Sequence, residues 1–153
     1  MIIKACATRL SRIVLPLTLL AVGTSFVPSA IAQQTTSLYN PIPLPSSNQV
    51  SDTLSERDIP TGDGGFARDY LVRFNQGDNI AIDLVSDQFD TIVALMSPEG
   101  ATLAENDDGP DGTTNSLLFT RITQTGNYIV RVRSFGETGG GAFTLRVTRL
   151  RPI

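Results

Sequence analysis

Residues 126–134 read Gly126-Asn127-Tyr128-Ile129-Val130-Arg131-Val132-Arg133-Ser134, and this stretch decides the fold class. Tyr128, Val130 and Val132 alternate with Arg131 and Arg133, the period of two that an extended strand with one buried and one wet face requires. The same alternation recurs on both sides. Upstream, Tyr70, Val72 and Phe74 oppose Asp69 and Arg73, and Ile80, Ile82 and Leu84 oppose Ala81 and Asp83. Downstream, Phe143, Leu145 and Val147 oppose Thr144, Arg146 and Thr148.

Strands are therefore expected over 66–75, 79–85, 91–97, 116–123, 127–134 and 142–148, with shorter ones over 49–54 and 101–105. Glycines in Asn75-Gln76-Gly77-Asp78, Pro98-Glu99-Gly100 and Thr125-Gly126-Asn127 fall where a tight reversal calls for positive φ. Sustained helical periodicity is absent from residue 33 onward. About eight short strands broken by turns predict an all-β protein, an antiparallel sandwich of jelly-roll type.

Two segments precede this pattern. Lys4, Arg9 and Arg12 form a basic start, residues 13–27 are uncharged and mainly apolar, and Pro28-Ser29-Ala30-Ile31-Ala32 supplies a small-residue cleavage pattern. Residues 1–32 thus read as a secretory signal peptide cleaved near Ala32, since an apolar run of about 15 residues is short of the roughly 20 a spanning helix needs. An uncleaved anchor is the alternative. Residues 33–48 carry prolines at 41, 43 and 45 among Gln, Thr and Ser, and read as an extended linker before a domain over 49–153.

Composition then excludes several chemistries. The chain has 153 residues, no histidine and one cysteine, Cys6, which cleavage would remove. Histidine-based triads, ordinary zinc sites, disulfides and thiol catalysis fall away. Cleavage would also remove Lys4, Arg9 and Arg12, leaving nine arginines against fifteen acidic residues, a net charge of −6. No lysine then remains for Schiff-base chemistry, and a net-negative surface is a poor partner for nucleic acid.

The acidic stretch from Glu105 to Ser116 gathers hard oxygen donors between two expected strands. Asn106, Asp107, Asp108, Asp111 and Asn115, with Asp90 from a neighbouring turn, are candidate Ca²⁺ ligands. It is not an EF-hand, because Leu118 stands where the bidentate Glu belongs. The other reading is a solvated turn whose Asn and Asp side chains cap their own backbone. Asp90-Thr91 resembles part of an aspartic-protease D-T-G, but Ile92 replaces the glycine and no second copy follows. The acids cannot be sorted into a glycosidase pair without a separation. Thr138-Gly139-Gly140-Gly141 lacks the Lys and the helix of a phosphate loop. Tyr39, Phe89 and Phe135 are the aromatics left as sugar platforms.

Taken in order, Asp63-Gly64-Gly65, residues 69–74, Gly77-Asp78-Asn79-Ile80, residues 83–86, Phe89-Asp90-Thr91, Pro98-Glu99-Gly100, Asn106-Asp107-Asp108, Asn115-Ser116, Gly126-Asn127-Tyr128 and residues 141–145 form a series. Over about residues 50 to 148 that series resembles the bacterial pre-peptidase C-terminal domain family. The resemblance implies a secreted β-sandwich of the kind appended to exported peptidases, and related collagen-binding modules that bind calcium. The function it implies is a non-catalytic accessory or adhesion module without catalytic residues. Its implied partner is an exported peptidase or an extracellular polymer, and Ca²⁺ is the one cofactor in view. A carboxylate-dependent extracellular hydrolase and a structural component of the envelope or matrix are the alternatives.

Overall fold

A computed structural model describes residues 39–110, 112–137 and 139–150. The described residues fall within one compact unit, Ser37–Ile153. The expected signal peptide and cleavage site, over residues 1–32, lie outside the described residues, as do residues 33–38, Asp111, Thr138 and residues 151–153. Among the described residues there is no helix long and apolar enough to cross a membrane.

Ten strands follow one another: β1 Ile42–Pro43, β2 Gln49–Leu54, β3 Ile59–Pro60, β4 Phe66–Phe74, β5 Asn79–Val85, β6 Thr91–Met96, β7 Thr102–Asn106, β8 Ser116–Arg121, β9 Gly126–Ser134 and β10 Gly141–Leu150. They build two sheets. One has the order β1-β4-β9-β6-β7, with β3 also on β4, and the other the order β2-β10-β5-β8. The expected all-β sandwich is what forms, with ten strands where the pattern predicted eight, because the two-residue β1 and β3 are too short to show a period.

The alternation locates the core. Tyr70, Phe74, Ile80, Ile82, Leu84, Val93, Leu95, Tyr128, Val130, Val132 and Leu145 are essentially solvent-free and fill the space between the sheets. Each large apolar side chain so buried stabilises the fold by roughly 1.5–3 kcal/mol. Tyr70 and Tyr128 stay polar at one end, donating from their hydroxyls to Asp52 Oδ2 at 2.9 Å and to the Gln124 carbonyl at 2.6 Å. Phe89, a candidate sugar platform by sequence, is buried and meets Phe143 edge-on at 6.4 Å between centroids.

From β4 to β10 the chain changes sheet at every connection except β6 to β7. Consequently Asn75–Asp78 is an arch between sheets rather than a hairpin, while Pro98-Glu99-Gly100 closes the β6–β7 hairpin with Gly100 at φ +88°. Gly126 does not have the positive φ expected of it. Its lack of a side chain serves another purpose, since a Cβ there would stand 2.7 Å from Pro98 Cγ.

The segment read as a linker is extended, but from Tyr39 onward it is docked. Ile42 and Pro43 pair in parallel with Tyr70 and Leu71, Leu44 N–H donates to the Leu71 carbonyl at 2.9 Å, and Leu44 packs on the core. Pro43 occupies an edge, where a missing N–H costs no ladder bond. The folded part therefore starts at or before residue 39 rather than at 49.

Candidate functional site

The acidic loop is held by its amides. Asn106 ends β7, and its Nδ2 donates to the Asp108 carbonyl at 2.7 Å and to the Leu117 carbonyl at 2.8 Å. Leu117 N–H donates back to the Asp108 carbonyl at 3.1 Å. The loop thus supplies the missing neighbour at the start of edge strand β8, a form of edge protection. Asn115 Oδ1 accepts the Ser86 N–H at 3.0 Å, so that oxygen is already engaged. Asp90 lies beside the end of the loop: its carbonyl accepts the Phe135 N–H, and the next residue, Thr91, donates its N–H to the Thr114 carbonyl. Asp107 and Asp108 are exposed. Among the described residues no three His, Cys, Asp or Glu side chains form a group able to hold a metal ion.

The Asp90-Thr91 dipeptide has no proteolytic geometry. Thr91 is fully buried and its hydroxyl lies 2.6 Å from Ser116 Oγ, which ties β6 of one sheet to β8 of the other.

Carboxylates are brought together at one open edge of the sandwich. Asp52 lies in the run Val50, Asp52, Leu54, the more buried face of edge strand β2, and Arg68 shares the inner face of β4 with Tyr70. Arg68 spans the gap, with Nη1 at 2.5 Å from Asp52 Oδ1 and Nε at 2.7 Å from Asp58 Oδ1. Burial alone would raise the Asp52 pKa, but the Arg68 guanidinium, the Thr53 N–H and the Tyr70 hydroxyl outweigh it and hold the carboxyl below its ordinary value. Burial and the hydrogen bond to Asp52 push the Tyr70 hydroxyl up in turn. A general acid for glycoside cleavage needs the opposite perturbation, a carboxyl kept protonated at neutral pH.

A second ion pair sits on the outer face of the other sheet. Asp69, with only 2% of its side chain exposed, accepts two parallel bonds from Arg131, Nε at 2.7 Å and Nη2 at 2.8 Å. Tyr39 donates its hydroxyl to Asp69 Oδ2. Burial, and then the hydrogen bond to Asp69, push the Tyr39 pKa up to about 12.

Around this pair the sheet opens into a cleft of about 580 Å³. Strand register places Leu71, Ile129 and Met96 in one row across β4, β9 and β6. One step along the strands to one side are Arg73 and Asn127; one step to the other are Asp69, Arg131 and Ala94. Tyr39, Ser97, Pro98, Gly100 and Gly126 complete the rim. By alternation alone this whole face counts as wet. Its clue was the pair Leu71 and Ile129, apolar residues at positions where the alternation calls for polar ones. A smaller cleft of about 430 Å³ on the opposite sheet is hydroxyl-rich, with Ser51, Thr53, Ser86 and Thr144 beside Asp52 and Asp87.

No family model matches the sequence, and no curated protein matches it significantly. Solved structures do share its fold. The chain is similar to the pre-peptidase C-terminal domain of a collagenase from Bacillus anthracis, at 17% identity over 71% of this chain and 93% of that one, TM-score 0.50. It is also similar to PliG of Aeromonas hydrophila, a periplasmic lysozyme inhibitor of g-type lysozyme, at 11% identity over 71% of this chain and 95% of that one, TM-score 0.52. At these identities the likeness is one of fold, and the fold agrees with the family resemblance carried by the sequence motifs.

Proposed function

We propose that the chain is an exported, non-catalytic binding module, an accessory or adhesion domain that engages an exported peptidase or an extracellular polymer. The observation that carries this reading is the state of the acidic side chains. Asp52, Asp58 and Asp69 are committed to arginines, whereas Asp107 and Asp108 stand in solvent. Asp52, which faces both a cleft and a second carboxyl, is held in the form unsuited to a general acid. What remains open is a broad, mixed face of the six-stranded sheet, a surface for contact rather than turnover. Two neighbours in fold lend support, one a domain of a collagenase and the other an inhibitor of g-type lysozyme.

Export belongs to the same proposal: residues 1–32 act as the signal, and the secreted form begins at Gln33. Intact mass of the exported protein tests this, and retention of Met1 would overturn it. The functional test is a panel of peptide and glycan substrates incubated with the full chain and with Asp52→Asn. No turnover above buffer is expected from either, whereas turnover lost in Asp52→Asn would establish a carboxylate hydrolase.

A further inference from the structure

We propose that the cleft on the outer face of the six-stranded sheet takes an extended acidic peptide of a partner protein, read as acidic, any, apolar, any, acidic. This rests on the binding-module reading and names the chemistry of what is bound. The first argument is charge. In a chain of net charge −3, this cleft is lined by Arg73 and Arg131 and by no acidic residue. Arg73 is exposed and has no carboxylate within ion-pair distance among the described residues. Arg131 pairs with Asp69 through Nε and Nη2 and also interacts with Tyr39, so a ligand carboxylate would share its guanidinium with those two partners.

The second argument is spacing. Alternate residues of a strand lie about 6.8 Å apart, so the Arg73 and Arg131 rows are separated by about 14 Å, with the Leu71, Ile129 and Met96 row midway. A peptide lying along the strands has the same repeat. Its side chains at positions one, three and five point down together, which places an apolar residue on the central row and a carboxylate over each arginine. Backbone pairing is not needed for this, because β4, β9 and β6 already satisfy one another within the sheet.

The test uses the full chain and a fluorescein-labelled heptapeptide with glutamate at its second and sixth positions, leucine at its fourth and serine or threonine elsewhere. Binding is read by fluorescence polarisation. The expected result is binding that weakens as salt is raised and falls roughly three- to fivefold in Arg73→Gln, the effect of one exposed ion pair. Arg73→Lys, which keeps the charge, should retain most of it, and a peptide with glutamine for glutamate should bind more weakly. Phe119→Gln, on the outer face of the other sheet and 63% exposed in the native chain, should leave binding unchanged. Equal binding of the glutamine peptide, equal binding by Arg73→Gln, or loss only in Phe119→Gln would overturn the assignment. Absence of binding would overturn it while leaving the module reading intact, since that reading fails only on turnover in the substrate panel.

Discussion

Asp69 and Asp108 are both aspartates carried on or beside a strand, and their surroundings are opposite. The Asp69 side chain is 2% exposed, gripped by two nitrogens of Arg131 and by the Tyr39 hydroxyl. Asp108 is exposed, and it is its backbone carbonyl, not its carboxylate, that accepts Asn106 Nδ2 and Leu117 N–H. The difference follows from place. Asp69 is in mid-strand beneath the side chains of Tyr39 and Arg131, so its charge needs a partner; Asp108 is in a loop where water suffices. Acidic density in a sequence therefore marks the less consequential of the two regions.

The largest expected effect comes from breaking the covered pair. Arg131→Leu leaves Asp69 enclosed and uncompensated, and should cost about 3 kcal/mol in urea unfolding, the lower end of the usual range because Arg131 is itself 29% exposed. Adding Asp69→Leu should restore much of that loss. An additive double variant would mean that the two side chains do not depend on each other.

A smaller effect separates amides from carboxylates within the acidic loop. Asn106→Ala removes the donor that pins the loop to Leu117 and should cost about 1 kcal/mol. Asp107→Asn should fall within about 0.5 kcal/mol of the native chain. If Asp107→Asn were the more damaging, the loop would be organised by its charges after all.

The alternation in 126–134 and its counterparts made the strands, the core face and both buried tyrosines legible. What it left out is which sheet each strand joins, because a period of two is the same in either sheet; hence the reversal at Asn75–Asp78 is legible but not that it arches from one sheet to the other. The docked segment from Tyr39 was hidden for another reason. A two-residue parallel contact at Ile42–Pro43 has no period, and prolines suit a linker and an edge strand equally. The ion pairs joining Arg68 to Asp52 and Asp58 and Arg131 to Asp69 span 10 to 62 residues of sequence, a relation no local pattern contains.

The Tyr39 contact gives a pH-dependent effect. Its pKa is raised from 10.0 to about 12, so the folded state holds the proton more tightly than the unfolded one. That contribution is complete below pH 10 and is lost as pH rises through about 12. Stability curves of the native chain and Tyr39→Phe should therefore differ below pH 10 and converge above it. A constant difference across that window would show that the hydroxyl makes no special contact.

The smallest expected effect concerns calcium at the loop, which stays a proposal with Asp90, Asn106, Asp107, Asp108 and Asp111 as donors, the Asn115 side-chain oxygen being engaged by the Ser86 N–H. Such extracellular sites are weak, with Kd of roughly 10⁻⁴ to 10⁻³ M. At a concentration equal to Kd the ion would add about 0.4 kcal/mol, a shift of about 2 °C in Tm. Melting in EGTA and in excess Ca²⁺ measures it, and a shift that survives Asp108→Asn would place the ion elsewhere.

The measurement that bears most directly on a non-catalytic module is a carboxyl NMR titration of Asp52. Its carboxyl should titrate below its ordinary 3.8, since Arg68, Thr53 and Tyr70 together outweigh burial, and its stabilising effect should fade only as pH falls through that depressed value. An Asp52 carboxyl that instead titrates near pH 6, as a glycosidase acid does, would contradict the account.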